Sequence, residues 1–140
     1  MLKVVLDTNV LVSALLKPDS VPELVISLIL ENQLLLCLSE SIATEYEEVL
    51  EREKFKKLNR KKVKALISRL KSEAHWVNPV VRLNVAHDPE DNKFLECAQE
   101  AGADFLITGN TKHFPPKRFQ KTLIVSPAEF LSLIAKAFAR

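Results

Sequence analysis

The chain has 140 residues, of which 47% are hydrophobic and 27% charged, and its formal net charge is +2. These proportions exclude a disordered chain and are typical of one globular domain that can bury a core without disulfides. Gly102 and Gly109 are its two glycines. This scarcity excludes glycine-rich phosphate-binding loops, so side chains must supply any chemistry.

Positive charge is concentrated in one segment of the sequence. Residues 54–71 contain nine Lys or Arg and no acidic residue, whereas the remainder has 11 basic and 18 acidic side chains. This division predicts one basic face and an acidic patch elsewhere.

The cysteine pattern and the apolar runs suggest a compartment. Cys37 and Cys97 lie in apolar runs without C-x-x-C spacing, so we expect buried free thiols, as in a reducing environment. No secretory signal or membrane-spanning run is visible in the sequence, and we therefore expect a cytoplasmic protein with no membrane partner.

The first half of the chain alternates short apolar strands with helices. Residues 2–6 predict a buried strand, 9–16 a helix, and 20–32 a second helix that opens with an S-x-x-E capping signature. Residues 34–38 predict a second strand. Ser39 or Ser41 can cap the next helix, whose apolar face is formed by Ile42, Tyr46, Val49 and Leu50.

The second half continues this alternation. Residues 60–74 predict an amphipathic helix, and 75–81 allow at most one short strand. Asp88 is expected to cap a helix that ends at Gly102. Strands are predicted at 105–108 and 123–125. A last helix, capped by Ser126, is expected to turn Phe130, Leu133, Ile134 and Phe138 inward.

Continuous apolar strands alternating with helices predict a parallel sheet that is covered on both faces. We expect one domain over residues 1–140, with a three-layer α/β/α sandwich around a central, mainly parallel sheet of about four or five strands.

Acidic side chains follow or flank these strands. Parallel sheets place their sites at the carboxyl ends of the strands. Asp7 ends the first strand, Glu45 lies early in the helix after the second, and Asp88 and Asp91 begin the helix before the third. Asn110 follows that third strand. We therefore expect Asp7, Glu45 and Asp91 to converge at one edge.

Crowded carboxylates repel one another, and a hard cation relieves that repulsion. Mg²⁺ and Mn²⁺ prefer oxygen ligands and can activate water against a phosphodiester, whereas no His/Cys cluster suggests zinc. Taken singly, Asp88 could be only a helix cap, and Asp91 is favoured by the helix dipole whatever its function. Their joint placement favours a metal site.

Three stretches carry a resemblance to a known family. They are VVLDTNVLVSALL at 4–16, SESIATEYEEVL at 39–50 and DPEDNKFLECAQEAGADFLITGN at 88–110. On these motifs the sequence resembles PIN-domain proteins, in particular the VapC-like toxins of bacterial and archaeal toxin–antitoxin pairs. The resemblance implies an endoribonuclease that uses Mg²⁺ or Mn²⁺, with an antitoxin and a second copy of the chain as possible partners.

The resemblance also assigns roles by motif position. Asp7, Glu45 and Asp91 would be the metal ligands and the catalytic acids. Thr8 and Asn9 would orient Asp7, while Thr108 and Asp88 would support the pocket.

One position departs from the family pattern. Relatives commonly read T-G-D where this chain has Asn110. An amide oxygen can still ligate weakly, but one negative charge is missing. Two alternatives therefore stay open, namely an active ribonuclease and a weakened PIN scaffold that binds RNA or a protein without cleavage. A phosphatase-like use of Asp7 as nucleophile is disfavoured, because the expected D-x-D reads Asp7-Thr8-Asn9.

Basic residues provide candidate RNA contacts. Segment 54–71 can bind phosphates, although a solvated helix face would have the same composition. Trp76 and Tyr46 are expected to pack rather than to stack on bases. A second basic group follows Asn110 and is expected at the mouth of the site; it comprises Lys112, His113, Lys117, Arg118 and Lys121, of which Lys112, Lys117 and Arg118 are the predicted RNA-binding residues.

Overall fold

The computed structural model describes residues 1–52 and 55–138, and of Phe138 only the backbone. The predicted inward direction of the Phe138 side chain and the position of Lys54 in the basic run lie outside the described residues. The strands are β1 (Leu2–Leu6), β2 (Leu34–Leu38), β3 (His75–Trp76), β4 (Phe105–Ile107), β5 (Arg118–Phe119) and β6 (Thr122–Val125). The helices are α1 (Thr8–Leu16), α2 (Val21–Leu30), α3 (Glu40–Leu50), α4 (Arg60–Glu73), α5 (Asn92–Ala101) and α6 (Pro127–Phe138).

A six-stranded sheet forms the centre of the fold, in the order β3-β2-β1-β4-β6-β5. Every neighbouring pair is parallel except β5 and β6, which are antiparallel. Consecutive residues of β1, namely Val4, Val5 and Leu6, are all fully buried. Because successive strand residues point to opposite faces, helices must cover both faces of the sheet. The predicted three-layer, mainly parallel α/β sandwich is confirmed.

The sheet has more strands than the four or five expected. β3 is the short strand that the sequence allowed within 75–81, and it pairs with the end of β2. β5 was not predicted. It is a two-residue edge strand that folds back on β6 through a turn in which Gln120 has a φ of 55°. Its pairing depends on tertiary contact and not on a run of apolar residues, so the sequence pattern does not reveal it.

Helix caps agree closely with the sequence signals. The hydroxyls of Ser20, Ser39 and Ser126 each accept a backbone N–H three residues ahead, at 3.4, 3.3 and 3.1 Å. The Ser126 N–H in turn donates to the Glu129 carboxylate at 3.0 Å, which completes a capping box. The prediction for Leu133 is wrong, because 39% of this residue is exposed.

The core side of α6 is formed instead by Phe130 with Leu131 and Ile134, which pack against the main hydrophobic cluster. Cys37 and Cys97 are buried free thiols, as predicted. Burial raises the pKa of the Cys37 thiol to about 11 and that of Cys97 to about 12. No helix in the described ranges has the combination of length and apolar character that a bilayer-spanning segment needs.

Strand register defines the edge at which a site can form. Leu6 pairs with Ile107, and Ile107 pairs with Val125. The next residues continue the ladder, since the Asp7 N–H donates to the Ile107 carbonyl and the Thr108 N–H to that of Val125, both at 2.9 Å. Asp7 and Thr108 are therefore neighbours at the carboxyl ends of two central strands.

Candidate active site

Asp7 lies where β1 ends and α1 begins, and it is only 6% exposed. Thr108, which is fully buried, donates its hydroxyl to Asp7 Oδ2 at 2.7 Å. The same hydroxyl oxygen accepts the N–H of Asn110 at 3.0 Å. Because that N–H occupies the acceptor side of the hydroxyl, the hydroxyl proton is directed at the carboxylate. Thr108 therefore holds Asp7 in one orientation.

Glu45 approaches this edge from α3. Its Oε1 accepts a bond from Lys93 Nζ at 2.7 Å, and its Oε2 accepts the hydroxyl of Thr8. The next residue, Tyr46, is buried and donates its hydroxyl to the Leu6 carbonyl at 2.7 Å. Burial raises the pKa of Tyr46 well above its usual value, so this hydroxyl stays a donor. The Tyr46 bond joins α3 to the end of β1 and places Glu45 beside Asp7.

Asp91 closes a 3-10 turn, Pro89–Asp91, immediately before α5. Its Oδ2 lies 3.5 Å from Nδ1 of His113, which comes from the turn after β4. Asp88 is exposed and accepts the N–H of Glu90 at 3.0 Å. This contact is the helix-cap role that the sequence predicts for Asp88, whereas Asp91 faces the other acids.

The loop after β4 is held close to α1. Asn9 accepts the Gly109 N–H at its side-chain oxygen, at 3.1 Å. A Cβ atom at residue 109 would lie 3.4 Å from that oxygen, so the loop packs close to the Asn9 side chain. The side chain of Asn9 therefore contacts this loop, and that of Thr8 contacts Glu45, where the resemblance implied that both orient Asp7. Asn110 is exposed.

The carboxylates influence one another electrostatically. Burial raises the pKa of Asp7; the Thr108 hydrogen bond opposes this change, and the charge of Glu45 adds to it. For Asp91, burial is the largest cause, followed by the charges of Asp7 and Asp88, and together they raise its pKa to about 6. Negative charge is thus costly here, which is the condition that a bound cation relieves.

The donor chemistry at this edge fits a hard divalent ion. The carboxylate oxygens of Asp7, Glu45 and Asp91 are the ligand type that Mg²⁺ and Mn²⁺ prefer. Among residues 1–52 and 55–138, however, no three His, Cys, Asp or Glu side chains are grouped closely enough to hold a metal ion as they stand. Glu45 is directed at Lys93 and Thr8, and Asp91 at His113. The acids share one edge of the sheet without forming a closed ligand cage.

The basic loop after Asn110 is divided between two edges of the sheet. Lys112 and His113 lie in the turn Thr111–His113, next to Asp91. Arg118 of β5 pairs with Leu123 of β6, and Leu123 pairs with Phe105 at the start of β4. Arg118 is therefore level with the start of β4. Lys121 forms an ion pair with Asp104 at 3.5 Å, at the opposite edge. The expectation that this whole group lies at the mouth is therefore wrong for Lys121, because β5 runs antiparallel to β6.

A groove of about 860 Å³ separates α3 from α4. Apolar residues Val63 and Ile67 line it, together with Trp76, which is 43% exposed. Trp76 donates its ring N–H to the Lys71 carbonyl at 2.8 Å. Trp76 lies in the edge strand β3, so its ring packs at the rim of this groove and not in the interior. The expectation that it packs rather than stacks on bases stays a prediction.

The basic face of α4 is partly engaged in structural bonds. Arg60 donates to the Leu50 carbonyl, Arg69 donates to the Leu30 carbonyl, and Lys71 pairs with Glu47. The remaining lysines of the first turns of α4, Lys61, Lys62 and Lys64, are exposed. These three side chains are the ones best placed to meet an external anion.

Comparison with known proteins identifies the family. The sequence matches the family model for the PIN domain over residues 3–112. It is also 34% identical, over 111 residues, to the uncharacterized protein MJ1680 of Methanocaldococcus jannaschii, an alignment that covers 78% of this chain and 71% of that protein. This chain belongs to the PIN-domain family.

A solved structure shows the same fold. The crystal structure of VapBC2 from Rickettsia felis, bound to a DNA fragment from their promoter, matches this PIN domain with a TM-score of 0.56. The match has 16% sequence identity and covers 88% of this chain and 97% of that one. At this identity the likeness concerns the fold alone. PIN domains are generally nucleases, so membership of the family indicates a hydrolase.

Two residues of this PIN-domain site were missed by reasoning from sequence. Lys93 is the second residue of α5, where the helix dipole disfavours a cation. A lysine at this unfavourable position was the feature of the sequence that could have indicated acidic partners for Lys93. Asn92 is buried and accepts the N–H groups of Val85 and Ala86, at 3.0 and 2.8 Å. Asn92 therefore fixes the backbone at Val85 and Ala86, which leads into the acidic turn. No local sequence pattern predicts this role.

Proposed function

We propose that this PIN domain is an endoribonuclease that depends on a divalent metal and acts as the toxin of a toxin–antitoxin pair. The observation that supports the proposal is that three separate segments bring Asp7, Glu45 and Asp91 close enough to influence one another electrostatically. Burial and mutual repulsion raise the pKa of Asp91 to about 6. Clustering these acids lowers the stability of the folded protein, and acids whose pKa values are perturbed in this way are typical of functional sites.

Each acid has a distinct task in the proposed reaction. Asp7 and Asp91 would hold Mg²⁺ or Mn²⁺, and Glu45 would complete the acidic group. A bound ion supplies the Lewis acidity that activates water and stabilises charge at the phosphate. Thr108 keeps Asp7 oriented through its 2.7 Å hydrogen bond, and burial of both residues excludes competing water from that contact.

RNA binding is assigned to the cations around this edge. Lys112 is exposed beside the acidic cluster, and Lys117 follows in the same loop. Arg118 lies farther along the sheet and would contact a more distant phosphate. Contacts of this kind give affinity without sequence preference. Buried free thiols and an RNA substrate are consistent with the cytoplasmic location expected from the sequence.

A protein partner is part of the proposal. The structural neighbour from Rickettsia felis is a VapBC2 assembly bound to promoter DNA. This neighbour supports an antitoxin as a partner of the present chain, and a homodimer as its own assembly.

One observation favours a second function. Asn110 stands where the usual fourth acid would be, and Glu45 is already paired with Lys93. These features reduce the negative charge available for a cation. A weakened PIN scaffold that binds RNA or a protein without cutting would have this composition.

The two functions are separated by a cleavage assay. Purified protein is incubated with labelled single-stranded RNA in Mn²⁺ or in chelator. We expect cleavage by the wild type in Mn²⁺ and its loss in Asp7→Asn. Asp19→Asn is the matched control, because Asp19 is exposed in the loop between α1 and α2 and its φ of 62° is tolerated by asparagine.

Each outcome of this assay is decisive. Cleavage that survives Asp7→Asn would show that the activity does not depend on this acid and would contradict the proposed site. RNA binding by both proteins without any cleavage would establish the scaffold function instead.

A further inference from the structure

Lys93 is a cation built into the acidic edge. Its side chain is 16% exposed, and its Nζ lies 2.7 Å from Glu45 Oε1 and 3.5 Å from Glu90 Oε2. The Lys93 ammonium therefore lies between two carboxylates and is mostly removed from solvent.

The helix dipole makes this position unfavourable for a lysine. Lys93 is the second residue of α5, where the free backbone N–H groups carry partial positive charge. The acidic partners must outweigh that repulsion, and Glu45, at 23% side-chain exposure, is the more buried of the two. The ion pair with Glu45 is therefore the contact that keeps the ammonium here.

Glu45 has a protein partner on both of its oxygens. Oε1 accepts from Lys93, and Oε2 accepts from the Thr8 hydroxyl. A cation that bound Glu45 directly would have to displace Lys93 or share an oxygen with it. Such displacement would separate an ion pair that is largely removed from water, which is costly.

The charge balance points to the same conclusion. Asp7, Glu45 and Asp91 bring three negative charges, of which Lys93 neutralises that of Glu45; Asp88 and Glu90, the other acids nearby, are exposed to solvent. Asn110 adds none, although it stands where the related motif has an acid. The remaining two negative charges match one divalent ion and leave a second ion without compensation.

We propose that Lys93 is the internal counter-ion of Glu45 and that it limits this site to a single divalent ion. Lys93 is thus a positioning residue, since it acts through Glu45. The inference rests on the proposed function, because it requires that Asp7 and Asp91 bind a divalent ion.

Calorimetric titration with Mn²⁺ alone tests this inference without RNA or activity. The wild type should bind one ion per chain. Lys93→Gln should bind a second ion, or bind the first on the order of tenfold more tightly, because a nearby positive charge is gone. Lys93→Arg keeps the charge and should retain one ion.

Lys71→Gln provides the matched control. Lys71 also pairs with a glutamate of α3, Glu47, at 2.9 Å, but this pair is exposed at 43% and 46% and lies in the groove towards α4. Its removal should leave both the stoichiometry and the affinity for Mn²⁺ unchanged. A general effect of losing one lysine would appear equally in both Lys→Gln variants.

The contradicting outcomes differ for the two proposals. Two ions in the wild type would overturn the role of Lys93 and leave the metal-dependent function standing. The same follows if Lys93→Gln and wild type bind Mn²⁺ alike. No Mn²⁺ binding by the wild type would overturn both proposals. If Lys93→Gln fails to fold, two ions in the wild type would still overturn the role of Lys93.

Discussion

Replacing Thr108 by valine isolates the support that the sheet gives to Asp7. Thr108→Val keeps the β-branched shape at a fully buried position but removes the hydroxyl. The Asp7 carboxylate then loses its 2.7 Å bond, and the Asn110 N–H loses an acceptor at 3.0 Å. Because Asn110 is exposed, water can replace its lost partner. The loss of stability therefore comes mainly from the missing hydrogen bond to Asp7.

The magnitude follows from the charge of the acceptor. A hydrogen bond to a charged group contributes about 1.5–3 kcal/mol, against about 0.5–1.5 kcal/mol for a neutral pair. At roughly 4 °C per kcal/mol for a chain of this size, Thr108→Val should lower Tm by about 6–12 °C.

Thr122→Val is the matched control for this substitution. Thr122 is also buried in the sheet and donates its hydroxyl at 2.7 Å, but its acceptor is the neutral Ala103 carbonyl. Its loss should lower Tm by only about 2–6 °C. Both variants and the wild type are unfolded by heat in chelator, between pH 4 and pH 8.

The pH dependence separates the two threonines. Bonding to Thr108 favours the ionised form of Asp7, so its extra contribution is present at high pH and is lost as pH falls through the pKa of Asp7. That pKa is raised by burial, so the loss should begin above the usual range of an aspartate. Equal costs for the two variants at every pH would refute the view that Thr108 supports a charged Asp7.

Three further predictions concern charge. Asn110→Asp should raise the affinity for Mn²⁺ in calorimetry, and an unchanged affinity would show that residue 110 lies outside the metal site. In chelator, stability should fall as pH rises from about 4 to about 6, because folded Asp91, with its pKa raised from 3.8 to about 6, retains a proton that the unfolded chain has released. Asp91→Asn should flatten this slope in thermal melts, and a persistent slope would assign it to other groups. Replacing Lys61, Lys62 and Lys64 by serine should lower the slope of log K against log salt for single-stranded RNA by about 2 in anisotropy titrations without divalent metal; an unchanged slope would leave α4 as a solvated face.

The parts of the fold that the sequence predicted are those with local causes. β1 and β2 are continuous apolar runs that end at Asp7 and Ser39, and both have the predicted bounds. β5 could not be found in this way, because two residues form no recognisable apolar run and their strand conformation depends on pairing with β6 in the folded sheet. Leu133 has the helical spacing of a core residue, yet it is exposed, because Phe130, Leu131 and Ile134 form the side of α6 that packs on the core.

The candidate site likewise has features that the sequence predicts and features that it does not. Strand ends and helix starts follow from local sequence, so the edge rule could place Asp7, Glu45 and Asp91 on one side of the sheet. The partners of their oxygens could not be predicted, since Lys93 is 48 residues from Glu45 and Thr108 is 101 from Asp7. Such pairs depend on side-chain rotamers across the finished fold. The metal and the catalytic roles of these acids stay predictions.

The cations and hydrogen-bond donors at the acidic edge are distributed unevenly among its carboxylates. This asymmetry affects where a bound cation gains the most free energy. Lys93 and Thr8 bond to Glu45, whereas Asp91 has one contact with a half-exposed imidazole at 3.5 Å. The pKa of Asp91, raised to about 6 by burial and by the charges of Asp7 and Asp88, reports negative charge that the protein leaves unbalanced. Asp7 and Asp91 would hold a divalent ion without loss of the Lys93 ion pair, and the ion would relieve this repulsion. We therefore expect these two acids, and not Glu45, to contribute most of the free energy of ion binding.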